Sequence, residues 1–400
     1  MKFHIECLQK SAQWSAVQKI QAEIRKNGFQ AMLAGGAVRD AFLEIVPHDL
    51  DVVTDASIED LKKIFNKIVF VGESFGVLRV IESDQTIEVA QFRKEADYKD
   101  GRHPSLVSSA TPEEDAGRRD FTVNALFYDF STEKILDFVG GIKDLEKKSL
   151  RCVGEAKVRF KEDHLRILRA IRFESQLGLE LDPATEEACK EMSSLTSKLS
   201  KERIQDELLK MLLGPKPIKV IERLWEFGLL KQLFAERAKN YLEVEMDLKV
   251  LFKNKITNSD LALALFMWKV QDPKALFAEF RWSKKSEKNI TKITEIFNDI
   301  EGFLQMRMGE QLLVFEDPLF RQVFALTAPL FHNLKDKFEN LKTKWKEVSI
   351  DEKLPKAIVK SEDLAEKFQG KKLGEALKEA YLLQLEYVDL LKEQIIERVF

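Results

Sequence analysis

The sequence predicts an α+β fold: a small sheet-bearing N-terminal block followed by an all-α C-terminal region. Three observations carry this reading. Apolar and β-branched runs bounded by turn residues crowd into residues 1–150. After Gly154 those runs fade, and apolar residues recur at helical three- and four-residue spacing. The length of 400 residues exceeds one ordinary domain of about 150 and points to two or three.

The elements follow in order. Ser15–Asn27 reads as an amphipathic helix ended by Gly28, and Phe29–Ala34 as a short strand running into Gly35-Gly36. Leu50–Thr54, Ile68–Val71, Gly76–Glu82 and Thr86–Arg93 are further strands, the last two parted by the turn-like Ser83-Asp84. Asn124–Asp129 and Lys134–Phe138 form another pair. Helices are expected over Ala156–Gln176, Pro183–Ser194, Lys201–Leu213 and Ile218–Leu233, punctuated by Gly178, Pro183, Gly214-Pro215 and Gly228. The remainder is helical and rich in Leu, Phe, Lys and Glu, with one long helix over Leu373–Val399.

Composition excludes several classes. A hydrophobic fraction of 44% supports real cores, and the charged fraction of 33% is of mixed sign, so the chain is not disordered. No charge-free stretch approaches the roughly 18–20 apolar residues of a membrane span; the longest, Gln322–Leu334, is broken by Thr, Pro and His. The N-terminal MKFHIECLQKSAQW lacks an apolar signal core. Cys7, Cys152 and Cys189 are odd in number and far apart, which argues against a disulfide framework or a Cys-based zinc site and fits a reducing cytoplasm. Net charge is −3: residues 1–150 sum to −5, residues 151–235 to +2 and residues 236–400 to zero. A phosphate ligand therefore has to be held by local patches or a bound cation rather than by bulk charge.

The densest chemistry lies in Leu33–Ala56. Gly35-Gly36 follow a strand and open a helix, where glycines let a phosphate approach backbone N–H groups, and Arg39 on the first turn can add a fork. The bland alternative is a bare turn. Asp49 and Asp51 flank Leu50 at the start of a strand, so both carboxylates project from one side. Carboxylates that close repel unless a cation sits between them, and an all-oxygen donor set suits Mg²⁺. Glu88, heading EVAQF, is a candidate third carboxylate; by itself it is an ordinary strand Glu.

GG-AVRD followed by DLD, then RRDFTVNALFYD, then EDHLRILRAIRF, in this order and spacing, resembles the class II tRNA nucleotidyltransferase (CCA-adding) and bacterial poly(A) polymerase family. These motifs cover about half the chain. IERLWEFGLLKQLF and GKKLGEALKEAYLLQLE are similar to the family's neck-to-body and tail segments. The resemblance implies a small mixed-sheet, polymerase-β-like nucleotidyltransferase head over residues 1–150, a base-recognising helical neck over 151–235, a helical body over 236–330 and a tRNA-binding tail over 331–400. It implies metal binding by Asp49 and Asp51 with Glu88 beside them, and triphosphate binding by Gly35, Gly36 and Arg39. Ribose and phosphate contacts would come from Arg118, Arg119, Asp120 and Asn124. The incoming base would be read by the motif of Glu162, Asp163 and Arg166, with Arg169 and Arg172 continuing its helix. Lys201–Leu213 would support the neck. The implied activity is template-independent addition of C and A from CTP and ATP to the 3′ end and acceptor arm of tRNA in the cytoplasm, with Mg²⁺ and no membrane partner.

The base-reading motif makes independent sense. Asp163 and Arg166, three apart on a predicted helix, share a face. A carboxylate accepts and a guanidinium donates. Cytosine and adenine each present an exocyclic amine beside an unprotonated ring nitrogen, which that pair fits. Uracil and guanine present the reverse pattern, and each mismatched buried group costs about 1–3 kcal/mol. The bland alternative is a solvated ion pair. Of the adjacent Arg118 and Arg119, pointing in different directions, one at most is expected to meet the nucleotide. Arg166, Arg169 and Arg172 form a basic stripe whose alternative is a solvated face beside Glu162 and Glu174.

Four activities compete: full CCA addition, A-only or CC-only addition, poly(A) synthesis, and non-catalytic RNA binding. The intact DLD and Glu88 oppose the last. Arg93–Ala110 is similar to the long flexible loop of CCA- and A-adding members, with His103 where arginine is common. Gly72–Val80 resembles the nucleotidyltransferase rather than the poly(A) polymerase version. Lys284, Lys285 and Lys288, and Lys342, Lys344 and Lys346 around Trp345, are basic clusters that could meet an RNA backbone or be plain solvated faces.

Overall fold

A computed structural model of the chain describes residues 1–72, 77–98, 101, 104–272, 280 and 282–399. They form two compact units, Met1–Leu233 and Phe234–Phe400.

In the first unit α1 (Ile5–Gln9) and α2 (Trp14–Lys26) lead into β1 (Ala31–Ala34), α3 (Gly36–Phe42), β2 (Val52–Thr54) and α4 (Ile58–Ile64). A meander of β3 (Ile68–Gly72), β4 (Val77–Glu82) and β5 (Gln85–Gln91) follows, then β6 (Arg93–Tyr98), β7 (Pro104–Ser109), α5 (Pro112–Arg118), β8 (Leu126–Asp129), β9 (Lys134–Asp137) and α6 (Gly141–Glu146). Seven strands make one sheet in the order β3-β4-β5-β2-β1-β8-β9. Only β2 and β5 run parallel in it, so the sheet is mixed as expected. β1 is buried along its whole length because both faces of the sheet are covered. Met32, Ala34, Val53 and Phe127 point into a core with Phe92, Ala116 and Val153. Leu33 and Val52 alternate to the other face, on the side where α2 packs through Val17, Ile20 and Ile24.

The helical remainder of this unit comprises α7 (Ala156–Glu162), α8 (Leu165–Leu177), α9 (Pro183–Glu191), α10 (Lys201–Leu212), α11 (Pro217–Glu226) and α12 (Leu229–Leu233). Three helix expectations, and one for a loop, change. The single helix over Ala156–Gln176 is two, broken where Asp163 takes an extended conformation (φ −137°, ψ 106°) and its side chain accepts from Leu165 N at 3.0 Å. A short carboxylate that offers the backbone its own hydrogen bond competes with the helical ladder. The helix over Ile218–Leu233 ends at Gly228, which is left-handed (φ +72°). The long helix over Leu373–Val399 is also two, Gly370–Glu386 and Lys392–Val399. The turn between them lets Ile395 join Ala376, Ala380 and Leu383 in one core. A continuous helix would hold Ile395 about 22 Å from Ala380. The Arg93–Ala110 segment, expected as a flexible loop, is a paired hairpin of β6 and β7 from Arg93↔Ser109 to Tyr98↔Pro104. Within that segment Asp100, Arg102 and His103 lie outside the described residues.

The second unit is helical and packed with phenylalanine, for example Phe324 against Phe338 at 5.0 Å and Phe315 at 5.4 Å. Trp345 belongs to this core, edge-on to Phe315. Lys342 and Lys344 pair with Glu339 and Glu347 on their own helix. Arg237 is fully buried; its guanidinium donates to the carbonyls of Phe266 and Trp268 at 2.8 and 2.7 Å, and burial pushes it down to about 10.

Glu174 on α8 is fully buried and grips Arg223 of α11 through two bonds of 3.0 and 2.8 Å, with Lys219 at 3.2 Å. Glu174→Ala removes the buried partner and leaves that guanidinium with Glu226 at 2.9 Å and Glu186 at 3.6 Å, and should cost about 1.5–3 kcal/mol in urea unfolding followed by circular dichroism. A loss below about 1 kcal/mol would show that the pair is solvated in solution.

Candidate active site

Strand direction gathers the site. β1 is antiparallel to β2 and to β8, and β2 is parallel to β5. The C-terminal end of β1 and the N-terminal ends of β2, β5 and β8 therefore share one edge of the sheet. Gly35 leaves β1 there, Asp49 and Asp51 lead into β2, and Asn124 precedes β8. Backbone bonds tighten this edge: Ala34 N donates to Asp51 O at 3.1 Å and Gly35 N to Leu126 O at 2.9 Å. One cleft of about 690 Å³ at this edge is lined by Gly35, Gly36, Arg39, Asp49, Asp51, Arg119, Asp120, Asn124, Asp163, Arg166, Arg169 and Arg172. Glu88 lines an adjoining hollow of about 440 Å³ that shares Asp49 and Asp51.

Around Leu50 the expected alternation holds: Leu50 is buried while Asp49 and Asp51 face the cleft. The β2–β5 register, Val52↔Val89, puts Asp51 level with Glu88. Asp51 meets the solvent of the cleft, yet the packing around it, with the charges of Glu88 and Asp49, pushes its carboxyl up to about 6; Arg119 and Arg79 oppose this. Glu88 is itself engaged by Arg79 across the β4–β5 rung, at 2.7 and 3.0 Å. No cluster of three His, Cys, Asp or Glu side chains converges as a ready metal cage among the described residues. The donor set nevertheless fits a hard divalent cation. It is all oxygen, it is incomplete in the protein so that substrate phosphates and water can finish it, and its internal repulsion is what a cation relieves.

Arginines make the opposite wall. Gly35 is left-handed (φ +74°), and a Cβ there would stand 2.9 Å from Arg119 Nη1, so this glycine makes room for an arginine as well as for a ligand. Arg118 and Arg119, one helical turn from Asp115, both clasp that fully buried carboxylate at 2.7 to 3.1 Å. Both line the cleft. Arg39 donates to Asp40 at 2.7 and 2.9 Å and to Asn124 Oδ1. Asn124 Nδ2 in turn donates to Asp120 Oδ1 at 3.1 Å, and Arg169 closes on Asp120 Oδ2 at 2.8 and 2.6 Å. Although burial opposes the charge, Arg169 and Asn124 hold the Asp120 carboxyl down at about 2. The ring of Phe173 carries Arg39, Arg169 and Arg172 at 5.4, 5.0 and 4.1 Å. The stripe Arg166–Arg169–Arg172 is thus no solvated face: Arg166 and Arg172 are buried, and Arg172 is held by Glu207 at 2.6 Å.

Asp163 and Arg166 both line the cleft, but Asp163 sits in the break between α7 and α8 while Arg166 is in the first turn of α8, so they do not share one helical face. Arg166 donates to Arg159 O, Glu162 and Arg118 O at 3.1, 2.7 and 2.7 Å. Glu162 is absent from the cleft wall and holds Arg166 from behind. Asp163 is gripped through both oxygens by Arg203 of α10 at 3.1 and 3.0 Å. Asp115, Phe173, Gln176 and Arg203 were missed as site residues. Asp115 was findable: TPEED is a helix-capping signature, and it sets Asp115 at i−3 and i−4 to the two arginines. Nothing local marks Arg203, which meets Asp163 from 40 residues away.

The raised Asp51 carboxyl gives a signed expectation. A folded-state pKa of about 6, above the unfolded value, means the folded chain binds the extra proton between about pH 4 and 6; the group therefore opposes folding at neutral pH and progressively less as pH falls. Asp51→Asn should raise the Tm of metal-free protein at pH 8 by about 2–4 °C, with the gain shrinking below pH 6. A gain independent of pH would rule out Asp51 ionisation as its source.

Comparison with known proteins agrees with this architecture. Residues 31–151 match the family model described as poly A polymerase head domain, and residues 178–240 match that described as probable RNA and SrmB-binding site of polymerase A. A CCA-adding enzyme of Streptococcus pyogenes serotype M3 is 36% identical over 309 residues, 74% of this chain and 73% of its own. One of Bacillus subtilis is 42% identical over 207 residues, 52% of either chain. The crystal structure of the Bacillus stearothermophilus CCA-adding enzyme in complex with CTP superposes with a TM-score of 0.80 at 27% identity, covering 97% of this chain and 96% of that one. With such identity kept over most of both sequences, and a fold shared nearly end to end, this chain belongs to the CCA-adding enzyme family.

Proposed function

We propose that this protein adds C and A nucleotides from CTP and ATP, without a nucleic-acid template, to the 3′ end of tRNA, releasing pyrophosphate at each step. The observation that carries the reading is one cleft joining the Asp49/Asp51 edge to the Asp163/Arg166 turn. Carboxylates for phosphoryl chemistry and an acceptor–donor pair for a base edge face the same space. In this reading residues 1–150 are the catalytic head, 151–235 the base-reading neck, and 236–330 and 331–400 the body and tail that hold the tRNA, in the cytoplasm.

Asp49 and Asp51, with Glu88 alongside, would hold Mg²⁺. Bound there, it would supply charge neutralisation at the transferring phosphoryl group and acidify the attacking 3′-hydroxyl. The chain's own groups position the rest. Arg39, Arg119 and the backbone at Gly35-Gly36 fork the triphosphate, and Arg118 and Asp115 keep Arg119 aimed. Asp120 and Asn124 fix Arg169 and Arg39, while Arg172 stands behind them on Phe173. Asp163 accepts from the exocyclic amine of C or A, and Arg166 donates to the adjacent ring nitrogen. U and G would set donor against donor and acceptor against acceptor. Glu162 and two carbonyls hold Arg166 so firmly that it cannot turn to suit the wrong base.

Incubating the protein with tRNA ending at the discriminator base, at C or at CC, with each NTP given separately, should show C, C and then A added. Asp51→Ala should abolish every addition while the circular dichroism spectrum persists; undiminished turnover in that variant removes the carboxylate assignment. Asp163→Ala and Arg166→Ala should each narrow the preference for C and A over U and G by about 1–3 kcal/mol, read as ratios of kcat/KM. Unchanged ratios in both variants would place base selection elsewhere.

The hairpin tip bears on the switch from C to A. Gly101 O accepts from His164 N at 3.2 Å, beside the base-reading turn. Gly101 is left-handed (φ +71°), and a Cβ would fall 2.1 Å from His164 Nε2. Gly101→Ala must therefore displace the tip, and should suppress the final A more than the two C additions. Equal loss of all three would make the hairpin a passive support.

A further inference from the structure

Gln13 lies outside the matched head domain, 36 residues before Asp49 and at the N-terminal side of α2. Its backbone is fixed: the Gln13 carbonyl accepts from Val17 N at 3.0 Å, and Gln13 N donates to Ser11 Oγ at 3.4 Å. Its side chain crosses to the sheet and uses both ends of the amide. Oε1 accepts from Leu50 N at 2.7 Å, and Nε2 donates to Thr86 O at 3.2 Å. One amide orientation alone satisfies both partners, because an N–H must meet oxygen and a carbonyl must meet N–H.

Those two partners are the informative ones. Leu50 N belongs to the Asp49–Leu50 peptide, so anchoring it fixes the backbone from which Asp49 and, one residue on, Asp51 project. Thr86 lies two residues before Glu88 on β5. The β2–β5 ladder starts at Val52↔Val89, so at the level of Leu50 and Thr86 no main-chain rung joins the two strands. The Gln13 amide stands in that gap, accepting from one strand and donating to the other. It lines the same hollow as Asp49, Asp51 and Glu88.

We propose that Gln13 is a positioning residue for the divalent cation: its amide is a side-chain rung that fixes the spacing between the Asp49–Asp51 pair and Glu88. This rests on the assignment of Asp49 and Asp51 as metal ligands, and the experiment separates the two. Partners that orient metal ligands typically govern about 10–100-fold in metal affinity. Gln13→Ala removes both bonds. Gln13→Met removes them while keeping the length and bulk of the side chain.

The test titrates Mn²⁺ into metal-free protein saturated with α,β-methylene-CTP, which cannot release pyrophosphate, and follows free Mn²⁺ by electron paramagnetic resonance. Parallel titrations measure the affinity for the CTP analogue without metal, and Asp51→Ala is the reference variant. Both Gln13 variants should bind Mn²⁺ about tenfold or more weakly than the parent while nucleotide affinity without metal stays within about twofold. If Asp51→Ala loses Mn²⁺ binding but Gln13→Met binds as the parent does, Gln13 has no positioning role and the metal assignment stands. A defect confined to Gln13→Ala is a packing effect and overturns the proposal in the same way. If Asp51→Ala itself binds Mn²⁺ normally, the metal assignment falls and the proposal with it. Should Gln13→Ala not fold, Gln13→Met decides.

Discussion

The Asp120 carboxylate is the point on which the rest of the site hangs. Its Oδ2 takes two donors from Arg169, and its Oδ1 takes Phe121 N and Asn124 Nδ2. Through Asn124 it reaches Arg39 on α3, and through Arg169 it reaches α8. One buried anion thereby registers the sheet edge, the glycine turn and the neck helix against one another. Such a cluster is a poor source of net stability, because desolvating its charges consumes most of what their attraction returns. Its value is orientation. With its folded-state carboxyl held at about 2, below the unfolded value, Asp120 favours folding throughout the neutral range, and that contribution is lost only as acid titrates it from about pH 4 towards 2.

The same logic resolves the mismatch between an acidic chain and an anionic substrate. Net charge is −3, yet seven arginines line the cleft. They do not repel one another apart because each is tied to something behind it. Asp115 holds Arg118 and Arg119, Asp40 holds Arg39, Glu95 holds Arg93, Glu162 holds Arg166, Asp120 holds Arg169 and Glu207 holds Arg172. Phe173 inserts a ring among three of them. The carboxylates cancel the charge in any sum over the sequence, while geometry leaves guanidinium donors facing the cleft. Beside them Asp49 and Asp51, with Glu88 held by Arg79 in the adjoining hollow, keep like charges close together, and burial together with that repulsion raises the Asp51 carboxyl to about 6.

Much of this was legible in order along the chain. Period-two runs located the strands, and the glycine pair, DLD, RRD and EDH strings located the residues that line the cleft, because each needs particular residue types at fixed short spacing. The readings that failed did so for separate reasons. A helix was extended through Asp163 because the apolar period continues across it, whereas the aspartate side chain takes the backbone's hydrogen bond and turns the chain. The tail helix was extended because the turn after Glu386 is stabilised by burial of Ile395 on an earlier helix, a contact that local periodicity does not encode. Arg93–Ala110 looked loop-like from its small polar residues, but strands can pair through backbone alone.

The sequence by itself determined the fold class, the family and most of the residues that line the cleft, since these depend on local pattern and on motifs whose members lie within a few residues of one another. Only the tertiary structure decided how those residues are held. Arg203 on Asp163, Glu207 on Arg172, Arg169 on Asp120 and Gln13 on Leu50 join positions 35 to 49 residues apart. They become neighbours because strand order and helix packing fold them together; an amide or guanidinium in a sequence carries no mark of which distant carbonyl or carboxylate will be left for it once the backbone ladders are complete.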